Sequence, residues 1–294
     1  MNALSFSGIV KSFGARRVLD GAAGHAKAGR VVGLLGRNGE GKTTLLKILL
    51  DLLEPEAGQV EVLGLRPDGS GKIRQHVGYV PEKPAFHPFM TAGEVLSLRA
   101  RLFERWDAGR AESLCRRLGL DLTTQIASAS KGTLGKLAWV CATAHDPALL
   151  LLDEPTSGLD VLVREEVLSG LVAELGEEGK TVLVTSHRMD EFAGLLDEVW
   201  VMAQGRLAGC WPVEELREQA CVVSGRPKEG SSMPEISQAV ALPQEGPLRA
   251  WAILDRRVKE RLLGSNVLES IQVESLPLER AFTCLLTLYG GQIQ

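Results

Sequence analysis

Along the first two thirds of the chain, short apolar runs closed by glycine or acid alternate with segments of helical period. "VVGLLG" from Val31 to Gly36 has strand length and ends in a glycine turn, and "TTLLKILLDLL" behind it is spaced as a helix. The two predict strand, loop, helix. "ALLLLDEP" (Ala148 to Pro155) predicts a second buried strand, closed by acids and a proline, and "KTVLVTSH" (Lys180 to His187) a third; "EVWVMAQGRLAG" reads as a hairpin. Buried strands separated by helices imply an α/β fold with a mostly parallel sheet covered on both faces. Between Thr91 and about Ala144, "TAGEVLSLRARLFERW" and "GRAESLCRRLGLDL" are amphipathic with no strand signal between them. They predict a helical subdomain at about 88–145, inserted in the α/β core.

Beyond about Pro212 the pattern changes. "SGRPKEGSSMPE" is rich in glycine, proline and serine and reads as a turn or flexible segment. "AVALPQEGPLRAWAIL" predicts a hairpin, "DRRVKERLLG" a short helix, and "ESIQVESLPLERAFTCLLTLYG" a strand, a proline turn and a helix. The expected division is a large domain at 1–216 and a small α+β domain at 217–294. A chain of 294 residues has room for both, each with its own core.

Charge narrows the partners. The net charge of −4 gives no basic field for nucleic acid. Stretches such as "RLFERWDAGR" mix acids with bases, as solvated helix faces do. No apolar run approaches the ~18 residues of a membrane span, and the N-terminus lacks a signal-peptide pattern. Five cysteines without a CxxC pair argue against a metal or disulfide framework and fit a reducing cytosol.

"GRNGEGKT" from Gly36 to Thr43 carries the chemistry. It matches G-x-x-x-x-G-K-[ST] and lies between a predicted strand and a predicted helix, the context this phosphate loop requires. Gly36, Asn38, Gly39 and Gly41 let backbone N–H groups turn onto phosphates, and the helix N-terminus adds partial positive charge. Lys42 is placed to reach the β- and γ-phosphates, and the Thr43 hydroxyl to ligate Mg²⁺. Asp153, at the end of "LLLLD", can hold Mg²⁺ through its waters. Glu154 beside it can polarise a water for attack on the γ-phosphate.

With "GRNGEGKTT", "SKGT", "LLLLDEPTSGLD" and "TSH" in this order, the chain resembles an ABC transporter ATP-binding subunit from about Leu4 to Leu216. The resemblance implies a P-loop NTPase (ABC ATPase) core that binds ATP and Mg²⁺. It implies that Phe13 in "KSFG" stacks on adenine, that Thr44 joins the phosphate loop, and that His187 contacts the γ-phosphate. The loop Ser157 to Asp160 would communicate across a dimer. "VGYVPE" resembles the segment joining core to helical insertion, with Glu82 where most members carry glutamine; its oxygen remains available to Mg²⁺ or its waters.

The family signature, LSGGQ, falls on Ala129 to Thr133, because Ser130 precedes Asp153 by the family's 23 positions. Ser130 and Gly132 match; Lys131 and Thr133 depart, and Lys131 is expected to point to solvent. "SKG" together with "PE" resembles the branch that powers type-2 exporters with separate membrane subunits. The C-terminal "ESLPLERAFTCLLTLYG" resembles a terminal helix common there, and its region is expected to stabilise a dimer or to regulate, a passive packing element being the alternative.

The implied function is an ATP-hydrolysing motor. It would pair with a second copy or a paralogue, dock a polytopic permease through the helical insertion, and lie on the cytoplasmic face of the cell membrane. The alternative of a soluble ABC-type ATPase on ribosomes or DNA lacks its usual marks, two cassettes in one chain or long coiled coils. A P-loop kinase or GTPase would leave the signature unexplained.

Overall fold

The computed structural model describes residues 1–158, 160–175, 179–228, 238–243 and 248–290, with the backbone alone at Leu162. Leu159 of the predicted communication loop, residues 229–235 of the predicted flexible segment and residues 244–247 of the predicted C-terminal hairpin lie outside the described residues.

The chain opens with two long antiparallel strands, β1 (Asn2–Phe13) and β2 (Arg16–Lys27), followed by β3 (Val31–Leu35), α1 (Lys42–Leu49) and β4 (Ala57–Val62). β4 pairs with β1, which gives a three-stranded antiparallel sheet. β5 (Val77–Val80) leads into the helical insertion, made of α2 (Ala92–Leu102), α3 (Ala108–Arg117) and α4 (Lys131–Thr143). The core then resumes with β6 (Leu149–Asp153), α5 (Val161–Leu175), β7 (Thr181–Ser186), β8 (Glu198–Ala203) and β9 (Arg206–Pro212).

These strands form a sheet in the order β5-β6-β7-β3-β8-β9, parallel except for β9. Every residue of β3, β6 and β7 is buried. Successive side chains point to opposite faces, and the burial shows it. Val32, Leu34, Leu149 and Leu151 pack with α1 and the three-stranded sheet, where Leu45, Leu49, Phe6 and Leu19 meet them. Val31, Leu35, Leu150 and Leu152 pack on the other face with Leu137 and Val140 of α4. The carboxyl ends of β3, β7 and β6 are therefore neighbours at one edge, where ligands bind in open α/β sheets.

Two devices fix the helical insertion. Thr91 and Glu94 close a reciprocal capping box at the start of α2. On α3, Arg110 donates to both carboxylate oxygens of buried Glu174 at 2.8 and 2.7 Å, and Lys180 bonds the same carboxylate while reaching Asp146 at 3.0 Å. This network ties α3 to the end of α5 and the start of β7.

The remaining elements are α6 (Val213–Gln219), β10 (Cys221–Pro227), β11 (Ala239–Leu242), β12 (Arg249–Ile253), α7 (Arg256–Gly264), β13 (Leu268–Ser275) and α8 (Leu278–Tyr289). An antiparallel sheet β11-β12-β10-β13 packs on α7 through Val223, Ile253, Val258 and Leu262. One expectation needs correction. Ser224 to Pro227, read as part of a flexible segment, complete β10, because their backbone pairs with β13 and β12. Beside this small core, Phe282 and Leu285 of α8 join the main cluster with Val199 and Val201 of β8, and Tyr289 packs on Trp211, ring centroids 4.9 Å apart.

Candidate nucleotide site

The glycine-rich loop connects β3 to α1. Gly41, at φ 101°, is the N-cap of α1. A Cβ there would meet the Val18 carbonyl oxygen at 2.9 Å, so backbone geometry and β2 together require glycine. The loop curls around Lys42, whose ammonium donates to the carbonyls of Gly36 at 2.6 Å and Arg37 at 3.3 Å. It also lies 3.4 Å from Glu154 Oε1.

Parallel neighbours supply the rest. From the end of β6, Asp153 accepts from Thr43 Oγ1 at 2.7 Å and from Thr185 Oγ1 at 2.8 Å, which joins α1, β6 and β7 at one carboxylate. Glu154 takes a left-handed backbone conformation, φ 48°, held by its N–H donating to the carbonyl and hydroxyl of Thr185. A non-glycine residue there costs on the order of 1–3 kcal/mol, a strain found where a side chain has to be aimed. Its Oε2 lies 2.8 Å from His187 Nδ1 and accepts from the His187 N–H at 3.3 Å. Its Oε1 is buried and accepts no hydrogen bond; Lys42 is the charge facing it.

A cavity of about 300 Å³ opens over this cluster, walled by the loop, Thr43, Thr44, Glu82 and Glu154. Phe13 also lines it and is half exposed, so it is no core residue. Arg16, Val18 and Arg37 line the cavity as well, and sequence reasoning missed them. Arg16 donates to the Gly39 carbonyl at 3.2 Å. The available signal was two arginines, one following "KSFG" and one inside the loop, beside a site for a polyanion.

Ser130, Gly132 and Asp160 line no part of this cavity. Ser130 caps α4, its Oγ accepting from the Thr133 N–H at 3.0 Å and lying 2.8 Å from Thr133 Oγ1. Asp160 accepts from the Val163 N–H at 3.0 Å at the start of α5, and Val163 is the nearest neighbour of Gly132. The two helix starts therefore sit side by side. Lys131 is exposed as a residue, and its ammonium lies against Gly158, in the space that a Cβ there would take.

Residues 19–157 match the family described as ABC transporter. The bacitracin transport ATP-binding protein BcrA of Bacillus licheniformis is 31% identical over 72% of this chain and 70% of its own. The chain belongs to the ABC transporter family. The Nod factor export ATP-binding protein I of Burkholderia lata is 36% identical over 69% of this ABC chain and 68% of its own. A solved ATP-binding subunit of an ABC transporter superposes with a TM-score of 0.67, at 28% identity over 74% of this chain and 92% of that one. Some relatives are longer: the chain spans 52% and 58% of two further ATP-binding proteins. This ABC protein is an ATP-binding subunit and an ATPase with a P-loop core.

Proposed function

We propose that the protein is the ATP-hydrolysing motor subunit of an exporter, working as a pair beneath a separate membrane subunit. The observation that carries this is the placement of Glu154 between Lys42 and His187, beside the Thr43–Asp153 bond. Lys42 exchanges its loop carbonyls for the β- and γ-phosphates. Phe13 stacks on adenine, and Gly36, Asn38, Gly39, Gly41 and Thr44 present the loop to the phosphates. Glu154 takes a proton from the attacking water, and His187 orients that carboxylate and meets the γ-phosphate.

The residues present suit Mg²⁺. Thr43 Oγ1 and Asp153 Oδ2 are hard oxygen donors 2.7 Å apart, with Glu82 on the same cavity wall. No cluster of three or more His, Cys, Asp or Glu that could hold a metal occurs among the described residues, and a phosphate-bound Mg²⁺ needs only one or two carboxylates. When bound there, Mg²⁺ supplies charge neutralisation for the phosphates.

Ser130, Gly132 and Asp160 are assigned to the nucleotide of the opposite copy, since they lie outside their own cavity. The 1–216 region forms the motor, and 217–294 forms an accessory unit joined to it by α8. A groove of about 330 Å³ between the core and the helical insertion, walled by Leu52, Tyr79, Arg99, Phe103 and His145, suits a short cytosolic helix of the permease. No described helix is long and apolar enough to cross a membrane. Attachment to the cytoplasmic face is assigned to that partner. The printed names of BcrA and the Nod factor protein support transport and export. Co-purification from membranes tests the reading. A polytopic membrane protein should be recovered with the chain, and recovery with ribosomes or DNA alone would overturn it.

A further inference from the structure

Two positions that depart from the family pattern, Glu82 and Lys131, lie 49 residues apart in sequence but share one crevice. The crevice holds about 10 Å³, near the size of a single water. Pro81 and Glu82 enter it from the segment behind β5, Lys131 and Gly135 from the start of α4, and Ser157 from the loop behind β6. Glu82 also lines the nucleotide cavity, so it stands in the partition between the two spaces.

Electrostatics gives both residues a need. On the cavity side, Glu82 shares the wall with Glu154 and with the cations Lys42, Arg16 and Arg37, of which Glu154 engages Lys42 and Arg16 donates to the Gly39 carbonyl. Burial raises the pKa of the nearby Tyr79 phenol, and the charges of Asp153 and Glu82 raise it further. Lys131 occupies the first turn of α4, where the helix dipole disfavours a cation, and no acid accompanies it in that turn. Its ammonium rests on Gly158 rather than on a carboxylate.

We infer that Lys131 is the counter-charge of Glu82, a charge pair across the crevice that positions the signature helix against the segment behind β5 and offsets the repulsion between Glu82 and a bound triphosphate. The inference rests on the ATP reading for its second half only. Glutamate at 82 is tolerable beside phosphates because Lys131 balances it from behind. Conversely, the lysine in the signature serves its own chain. Both residues act as positioning residues.

A double-mutant cycle decides the matter, with Glu82→Gln, Lys131→Gln, the pair of changes together, and Lys131→Arg. Two quantities are read: affinity for a fluorescent ATP analogue in EDTA, so that no metal enters, and the thermal midpoint of the nucleotide-free protein. Lys131→Gln should weaken binding about fivefold in the natural background and less than twofold beside Glu82→Gln, a coupling at the low end of the range for residues in one network. Lys131→Arg should bind as the natural protein does. The midpoint should fall on Lys131→Gln and recover in the double variant. Non-additivity in either reading supports the pair. Equal effects of Lys131→Gln in both backgrounds, in both readings, overturn it. Failure of the natural protein to bind the analogue would count against the ATP site alone, and the nucleotide-free midpoints would still decide the pair.

Discussion

His187 Nδ1 lies 2.8 Å from Glu154 Oε2, so the first side chain beyond β7 closes on the first side chain beyond β6. The contact leaves Glu154 with one oxygen engaged and one facing Lys42. Glu154→Gln keeps the shape and removes the basicity. It should retain ATP binding and lower turnover by about 10²-fold or more, the size of a lost general base. Steady-state phosphate release beside equilibrium nucleotide binding checks this. Near-normal turnover would reject the role.

Phe13 stands at the rim of the nucleotide cavity, with the Lys11 ammonium 5.9 Å from its ring centroid. Base-on-ring stacking is worth ~1–3 kcal/mol by alanine substitution. Phe13→Ala should raise the ATP dissociation constant about tenfold, and Phe13→Trp should restore it. An unchanged constant in Phe13→Ala would remove Phe13 from the site.

Arg110 holds the helical insertion to the core through buried Glu174. Removing it leaves that carboxylate short of one of its two cations, Lys180 being the other. Breaking a buried pair costs about 3–5 kcal/mol, so Arg110→Ala should lower the denaturant midpoint strongly. Arg110→Lys should recover only part of the loss, because one ammonium cannot serve Glu174 and also face Asp146, which lies 3.8 Å from the other guanidinium nitrogen.

His145 is buried and stacks on Phe103, ring centroids 4.1 Å apart. Burial holds its pKa down at about 4, with Arg99 and His76 acting in the same direction and the Val77 backbone and Asp146 against them. The unfolded chain takes up this proton first, near pH 6.5. The stability due to neutral His145 is therefore complete above that pH and is lost as pH falls from about 6.5 to 4, some 3 kcal/mol in all. Thermal midpoints between pH 7.5 and 4.5 should fall less steeply for His145→Gln. An identical slope would show that His145 does not drive the acid loss.

Much of the core was legible because its strands are buried on both faces. "VVGLL", "LLLLD" and "TVLVTS" are continuous apolar runs, and each ends in the residues that make the site. β1 and β2 gave no such signal. Their pairing slips register around Phe6, Ile9 and Lys11, which breaks the two-residue alternation, and β2 carries small residues from Gly21 to Gly24. β10 was half hidden because "SGRP" carries turn residues within a strand paired on both sides. That Glu82 and Lys131 line one crevice depends on how the helical insertion packs, and no local pattern encodes it.

ATP hydrolysis is assigned to a site completed by the signature of a second copy. Gly132→Asp places an acid in the first turn of α4, where the helix dipole favours it and Val163, 3.1 Å from the new Cβ, has to give by a few tenths of an ångström, and sets it against the opposing phosphates. Lys42→Ala disables the phosphate loop of its own chain. Each variant alone should be inactive. The decisive measurement is ATP hydrolysis by a mixture of the two, in which a mixed dimer gathers both defects into one site and leaves the other whole. Recovery of activity on mixing is the predicted result, and full activity of Gly132→Asp by itself would contradict it.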